Sequence, residues 1–144
     1  MPQPKFIPAD ELAELIRSPQ KVAGTDYLIV DVRDLDYVGG HITGAINVPA
    51  HLIRGQAPVL ADQYKHVPRI VFHCALSQVR GPKSARIYSE CVEDRLESAE
   101  VGDQLFEQEI NILRGGFDSW LVRFKDTEPE LIEAYDATVP RDTV

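Results

Sequence analysis

Short apolar runs that alternate with segments of helical spacing constrain this chain's fold more than any other feature. The runs Tyr27-Leu28-Ile29-Val30, Ala45-Ile46-Asn47-Val48, Arg69-Ile70-Val71-Phe72-His73 and Ile110-Asn111-Ile112-Leu113 are strand-length and mostly apolar on both sides, the pattern of buried strands. Between them lie helix signals. Pro8 opens a segment with early acids Asp10 and Glu11, an apolar face of Leu12, Leu15 and Ile16, and a stop at Pro19. Another helix is expected between Pro49 and Tyr64. The best marked starts at Pro82, with Ala85, Tyr88, Cys91, Val92 and Leu96 on one face. After the Gly115-Gly116 turn, Phe117, Trp120, Leu121 and Phe124 form one stripe. This alternation predicts an α/β fold in three layers, a central parallel sheet with helices on both faces. Such sheets carry their sites at the carboxyl ends of the strands.

At 144 residues and 44% hydrophobic content the chain suits one domain with an ordinary core. We expect the domain at residues 1–124 and an acidic tail at 125–144, with at most a short helix around Leu131 to Tyr135. No apolar run approaches the ~18 residues of a transmembrane helix, and no basic-then-apolar leader opens the sequence. Two cysteines, Cys74 and Cys91, cannot make a disulfide framework and are too few for a zinc knuckle. His41, His51 and His66 lack metal-ligand spacing. The expectation is a cytoplasmic or nuclear protein with no metal, no membrane partner and no cofactor.

The net charge of −8 argues against nucleic acid, which needs clustered Lys and Arg. That charge is uneven. Residues 93–109 hold seven acids and one base, and residues 125–144 six acids and two bases. These two segments sum to −10, so the rest of the chain sums to +2. Arg80, Lys83 and Arg86 fall in that remainder, around the segment with the clearest chemistry.

That segment is His73-Cys74-Ala75-Leu76-Ser77-Gln78-Val79-Arg80-Gly81-Pro82. A buried strand delivers Cys74 to its carboxyl end; five residues later comes Arg80, and Gly81-Pro82 opens a helix. If the loop curls, the N–H groups of Ala75, Leu76, Ser77, Gln78 and Val79 converge as an anion nest. The helix adds its positive end, and Arg80 a planar fork for two oxygens of a tetrahedral oxyanion. Cations and helix N-termini also favour the thiolate of a cysteine, which is the nucleophile. His73, one residue earlier on the strand, points to the opposite face, which makes it a brace rather than a base. The bare Cys-to-Arg spacing is a weak signal, and a small buried hydrophobe is the plainer reading of Cys74. The apolar strand before and the Gly-Pro helix start after it favour a functional loop.

The loop HCALSQVRGP, with DVRDLDYVGGHITGAINVP upstream and LRGGFDSW downstream, resembles the rhodanese-homology superfamily. Within it, the HC-x5-R-G-P pattern is similar to the branch of M-phase-inducer-type dual-specificity phosphatases, their small fungal and plant relatives, and eukaryotic arsenate reductases. The resemblance spans roughly Ile7 to Trp120. It implies a parallel sheet of about five strands, Cys74 as nucleophile, Arg80 as oxyanion-binding arginine and the backbone of Ala75 to Val79 as cradle. It further implies structural support from His73 and Gly81, a structural Asp31–Arg33 pair, and a turn at Gly39, Gly40 and His41.

Departures from the branch qualify what it implies. Ala75 and Val79 stand where M-phase inducers carry loop glutamates, leaving no loop carboxylate as general acid. Val32 stands where they carry a cysteine, so that disulfide to the catalytic cysteine has no partner here. Cys91, roughly 14 Å up the helix at 1.5 Å per residue, suits core packing better. Three functions follow. The first is a cysteine-dependent phosphatase acting on a phosphorylated protein through a thiophosphate on Cys74. The second is an arsenate reductase with glutathione or glutaredoxin as reductant. The third is a non-catalytic interaction module. Sulfur transfer is disfavoured, because sulfurtransferases of the superfamily use a loop one residue shorter.

Overall fold

In a computed structural model, residues 3–97 and 108–140 are described; most of the acidic segment 93–109 lies outside them. The strands are β1 (Lys5–Ile7), β2 (Leu28–Asp31), β3 (His41–Ile42), β4 (Ile46–Asn47), β5 (Arg69–His73), β6 (Glu109–Leu113) and β7 (Ile132–Glu133). The helices are α1 (Ala9–Arg17), α2 (Ile53–Gln63), α3 (Arg80–Glu97) and α4 (Gly116–Phe124). Five strands make one parallel sheet in the order β1-β6-β5-β2-β4, and β3 pairs with β7 in a separate antiparallel ribbon. This is the three-layer α/β class that the alternation predicts.

Strand alternation divides the core. Leu28 and Val30 of β2 and Ile70 and Phe72 of β5 pack with Ala57 and Leu60 of α2 and Ala85, Tyr88 and Val92 of α3. On the other face, Ile29 and Val71 pack with Leu12 of α1 and Phe117, Trp120 and Phe124 of α4. At roughly 25 cal/mol per Å2 of apolar surface, each fully buried large side chain contributes about 1.5–3 kcal/mol. The period-two rule carries on past β5: Cys74 joins the α2/α3 core with Ile70 and Phe72, while the fully buried His73 faces the other way.

Three boundaries differ from expectation. β1 was not legible, because it has three residues and only Ile7 of them is buried. α3 starts at Arg80 rather than Pro82. A proline in the first turn costs no hydrogen bond, since those N–H groups have no helical partner, so the helix runs back through it. Beyond Phe124 the chain forms not a helix near Leu131–Tyr135 but a 3-10 turn, Pro129–Leu131, and strand β7. Tertiary pairing decides this. Leu131 is buried, its carbonyl accepts from Trp120 Nε1 at 3.0 Å and from the Thr43 amide at 3.2 Å, and β7 then follows β3 in register His41 to Glu133. The segment up to Val139 packs on the domain, where the Asp136 amide donates to the Gly39 carbonyl at 3.0 Å. No helix among the described residues is long and apolar enough to cross a membrane.

Candidate active site

The connections after β2, β5 and β6 meet at the carboxyl edge of the sheet, and the middle one is the Cys74 loop. Its curl depends on Ser77, which has φ of +55°. That left-handed residue reverses the backbone and aims its own amide at Cys74 Sγ, 3.2 Å away. The Gly81 amide, in the first turn of α3, donates to the same sulfur at 3.3 Å. The sulfur thus sits at the focus of loop and helix N-terminus, with Cys74 itself buried. Gly81 allows the close approach, since a Cβ there would stand 3.3 Å from the Cys74 amide nitrogen.

The loop's outward carbonyls are also satisfied. The Phe117 amide donates to the Cys74 carbonyl and the Asp118 amide to the Ala75 carbonyl, both at 3.0 Å. Two consecutive left-handed glycines, Gly115 (φ +81°) and Gly116 (φ +61°), bring the start of α4 into this contact. A Cβ on Gly116 would lie 2.5 Å from both carbonyl oxygens. With those carbonyls turned toward α4, the N–H groups of Ala75 and Leu76, anti to them across the same peptide planes, point away from α4. The downstream GGF motif therefore shapes the loop.

Beneath the loop, His73 Nδ1 lies 3.0 Å from the Cys74 carbonyl and its Nε2 lies 3.7 Å from Asp31 Oδ2. Burial holds the ring below the usual histidine range, outweighing the Asp31 charge that pulls it up. Burial alone would raise the Asp31 carboxyl, but the His73 ring and the Arg33 hydrogen bonds hold it below the usual carboxylate range. Arg33 is 1% exposed. Its Nε and Nη2 donate to Asp31, Nη2 also to the Gly40 carbonyl at 2.8 Å, and its guanidinium lies 4.3 Å from the Phe117 ring centre. Asp31 and Arg33 brace the interior and do not line the mouth.

Around that mouth, Leu76 and Val79 are 37% and 70% exposed, and Gln78 is exposed too. Lys83 and Arg86 are exposed on the first two turns of α3, and neither is among the sulfur's amide donors. Arg80 carries a partner that the loop sequence did not disclose: its Nη1 and Nη2 donate to Asp36 Oδ1 and Oδ2 at 3.0 and 2.7 Å. Asp36 lies 44 positions upstream in a 3-10 turn, Leu35–Tyr37. The only hint was its place inside the motif that holds Asp31 and Arg33. Val32 is fully buried in the α2/α3 core, and Cys91 is half-buried against the same core, with both cysteines free. Among the described residues no group of three or more His, Cys, Asp and Glu side chains is placed to hold a metal ion.

Comparison with known proteins agrees with this architecture. A model of the Rhodanese-like domain matches residues 8–123. The dual specificity phosphatase ibp1 of Schizosaccharomyces pombe is 32% identical over 118 residues, covering 76% of this chain and 82% of that protein. Arsenate reductase 2.2 of Oryza sativa subsp. japonica is 31% identical over 116 residues, covering 80% of each. Among solved structures, the As-Sb reductase of Leishmania major superposes with a TM-score of 0.68 at 27% identity, over 90% of this chain and 85% of that one. With its parallel sheet, its cysteine loop between β5 and α3 and a domain match over residues 8–123, the chain belongs to the rhodanese-like domain family.

Proposed function

We propose that this protein is a cysteine-dependent phosphatase that hydrolyses phosphomonoesters at Cys74. The observation that carries the reading is the position of Cys74 Sγ, which receives the Ser77 and Gly81 amides where the loop meets the start of α3. The sulfur attacks phosphorus in line, an S–P bond forms, and the ester P–O bond breaks. Loop amides and Arg80 hold the remaining oxygens, which gain charge in the transition state. Water then cleaves the S–P bond, releasing phosphate and the cysteine. With Ala75 and Val79 in the loop, the leaving group takes its proton from the substrate monoanion, so good leaving groups react best. Exposed Leu76 and Val79 at the mouth suit an organic substituent on the phosphate, as on a phosphorylated side chain.

The test is hydrolysis of p-nitrophenyl phosphate by wild type and Cys74→Ser. We expect turnover in the former and none above background in the latter; equal rates, or none in either, would overturn the reading.

A second reading, arsenate reduction, is favoured by the carboxylate-free loop and by the small arsenate reductases among the relatives. Arsenate fills the same tetrahedral cradle, Cys74 displaces one oxygen as water, and two thiol equivalents of glutathione reduce As(V) to As(III) while forming a disulfide. Arsenite release from arsenate plus glutathione, lost in Cys74→Ser, would support it.

A further inference from the structure

Arg80 is the loop's only charged side chain, and the fold does not leave it loose. Its end-on pair with Asp36 uses one N–H from each Nη. An arginine carries five N–H donors, so Nε–H and one N–H on each Nη are left over. Of these, Nε–H and the N–H of the neighbouring Nη point the same way and form the side-on edge that can grip two oxygens of an oxyanion. Arg80 opens α3, and the next amide, that of Gly81, donates to the Cys74 sulfur at 3.3 Å, so the Asp36 pair fixes a guanidinium whose backbone lies beside the nucleophile.

Asp36 is itself held in place. The Asp34 amide donates to its Oδ1 at 2.9 Å, and Arg33 Nη1 donates to its backbone carbonyl at 3.0 Å. Arg33 is locked on Asp31. From one buried carboxylate, then, two arms reach the loop. One runs from Asp31 through His73 to the Cys74 carbonyl. The other runs from Asp31 through Arg33 and Asp36 to the Arg80 side chain.

We propose that Asp36 is a positioning residue, which holds the Nη end of Arg80 at the rim of the Cys74 loop and so keeps its remaining donors at the place where an oxyanion binds. This rests on the reading of the loop as an anion site. A long arginine loses rotamer freedom when a ligand fixes it, and a carboxylate anchored through a buried arginine removes part of that cost before any ligand arrives. The carboxylate comes from another segment because the loop has none. A surface acid that merely cancelled charge would act with the opposite sign, since its removal would strengthen the pull on an anion.

The two signs are separated without turnover, by alkylating Cys74 of the full chain with iodoacetate or iodoacetamide and following the Cys74 peptide by mass spectrometry. Both reagents put carbon on sulfur and release iodide, but only iodoacetate is drawn by Arg80. Arg80→Ala sets the rate ratio without the cation. In Asp36→Ala the iodoacetate-to-iodoacetamide ratio should fall about five-fold toward that reference, the effect of one charge near ~4 Å in water-like surroundings, and Asp36→Glu should restore most of it. An unchanged or higher ratio in Asp36→Ala overturns the proposal. Should that variant not fold, Asp36→Asn replaces it with the same sign expected. If wild type and Cys74→Ser were equally inert toward p-nitrophenyl phosphate and arsenate, the functional reading would fail while the alkylation ratio still decided the role of Asp36.

Discussion

The Phe117 amide donates to the Cys74 carbonyl at 3.0 Å, so the helix after β6 shapes the loop after β5. Without the start of α4 there, the Cys74 and Ala75 carbonyls would lose the Phe117 and Asp118 amides as donors, and nothing would hold the two peptide planes with their Ala75 and Leu76 amides turned away from α4. The requirement falls on a residue with no side chain. Gly116 is the only amino acid type that can place the start of α4 there, at φ +61° and with a Cβ position 2.5 Å from two carbonyl oxygens.

Gly116→Ala should therefore damage both stability and the site. A left-handed conformation costs a non-glycine residue ~1–2 kcal/mol, and overpacking against backbone ~1–3 more. We expect about 3 kcal/mol in total, a fall in Tm of about 10 °C for a domain of this size, together with loss of phosphatase activity. Thermal unfolding followed by circular dichroism is the check.

Replacing Arg33 tests whether it braces the interior. Arg33→Met keeps a long stem but leaves the buried Asp31 carboxylate without its fork. Removing one partner of a buried ion pair costs ~3–5 kcal/mol, measurable as a shifted urea midpoint at constant slope. A near-neutral result would mean that solvent reaches Asp31.

Acidification should destabilise the fold in two stages with the same sign. Free histidine titrates near ~6.5, and His73 titrates lower in the folded protein. The unfolded chain thus takes up a proton first, and stability falls as pH drops below about 6.5. Asp31, also held low, contributes stability above the ordinary carboxylate range that is lost below about pH 4. A Tm-against-pH curve should slope downward from pH 6.5 to 5 in wild type and be flatter there in His73→Gln.

The segment past Phe124 should prove integral to the domain. Leu131 is 1% exposed and sits in the α1/α4 core, so Leu131→Ala should cost about 3 kcal/mol. Urea unfolding measures this, and a cost below about 0.5 kcal/mol would instead describe a solvated appendage.

What could be read from the sequence was whatever local patterning encodes. Buried strands β2, β5 and β6 announce themselves because both faces must be apolar, and α4 because Phe117, Trp120, Leu121 and Phe124 recur at helical spacing. The opposite facing of His73 and Cys74 follows from a period of two, and the loop from a strand, a Cys-x5-Arg stretch and a Gly-Pro start. Long-range pairing was left to the tertiary structure. β1 and β7 are strands only because β6 and β3 offer them partners. Asp36 gained its place because a buried Arg33 holds its backbone beside a helix start 44 positions later. Such contacts depend on distances across the folded sheet, which no spacing along the chain expresses.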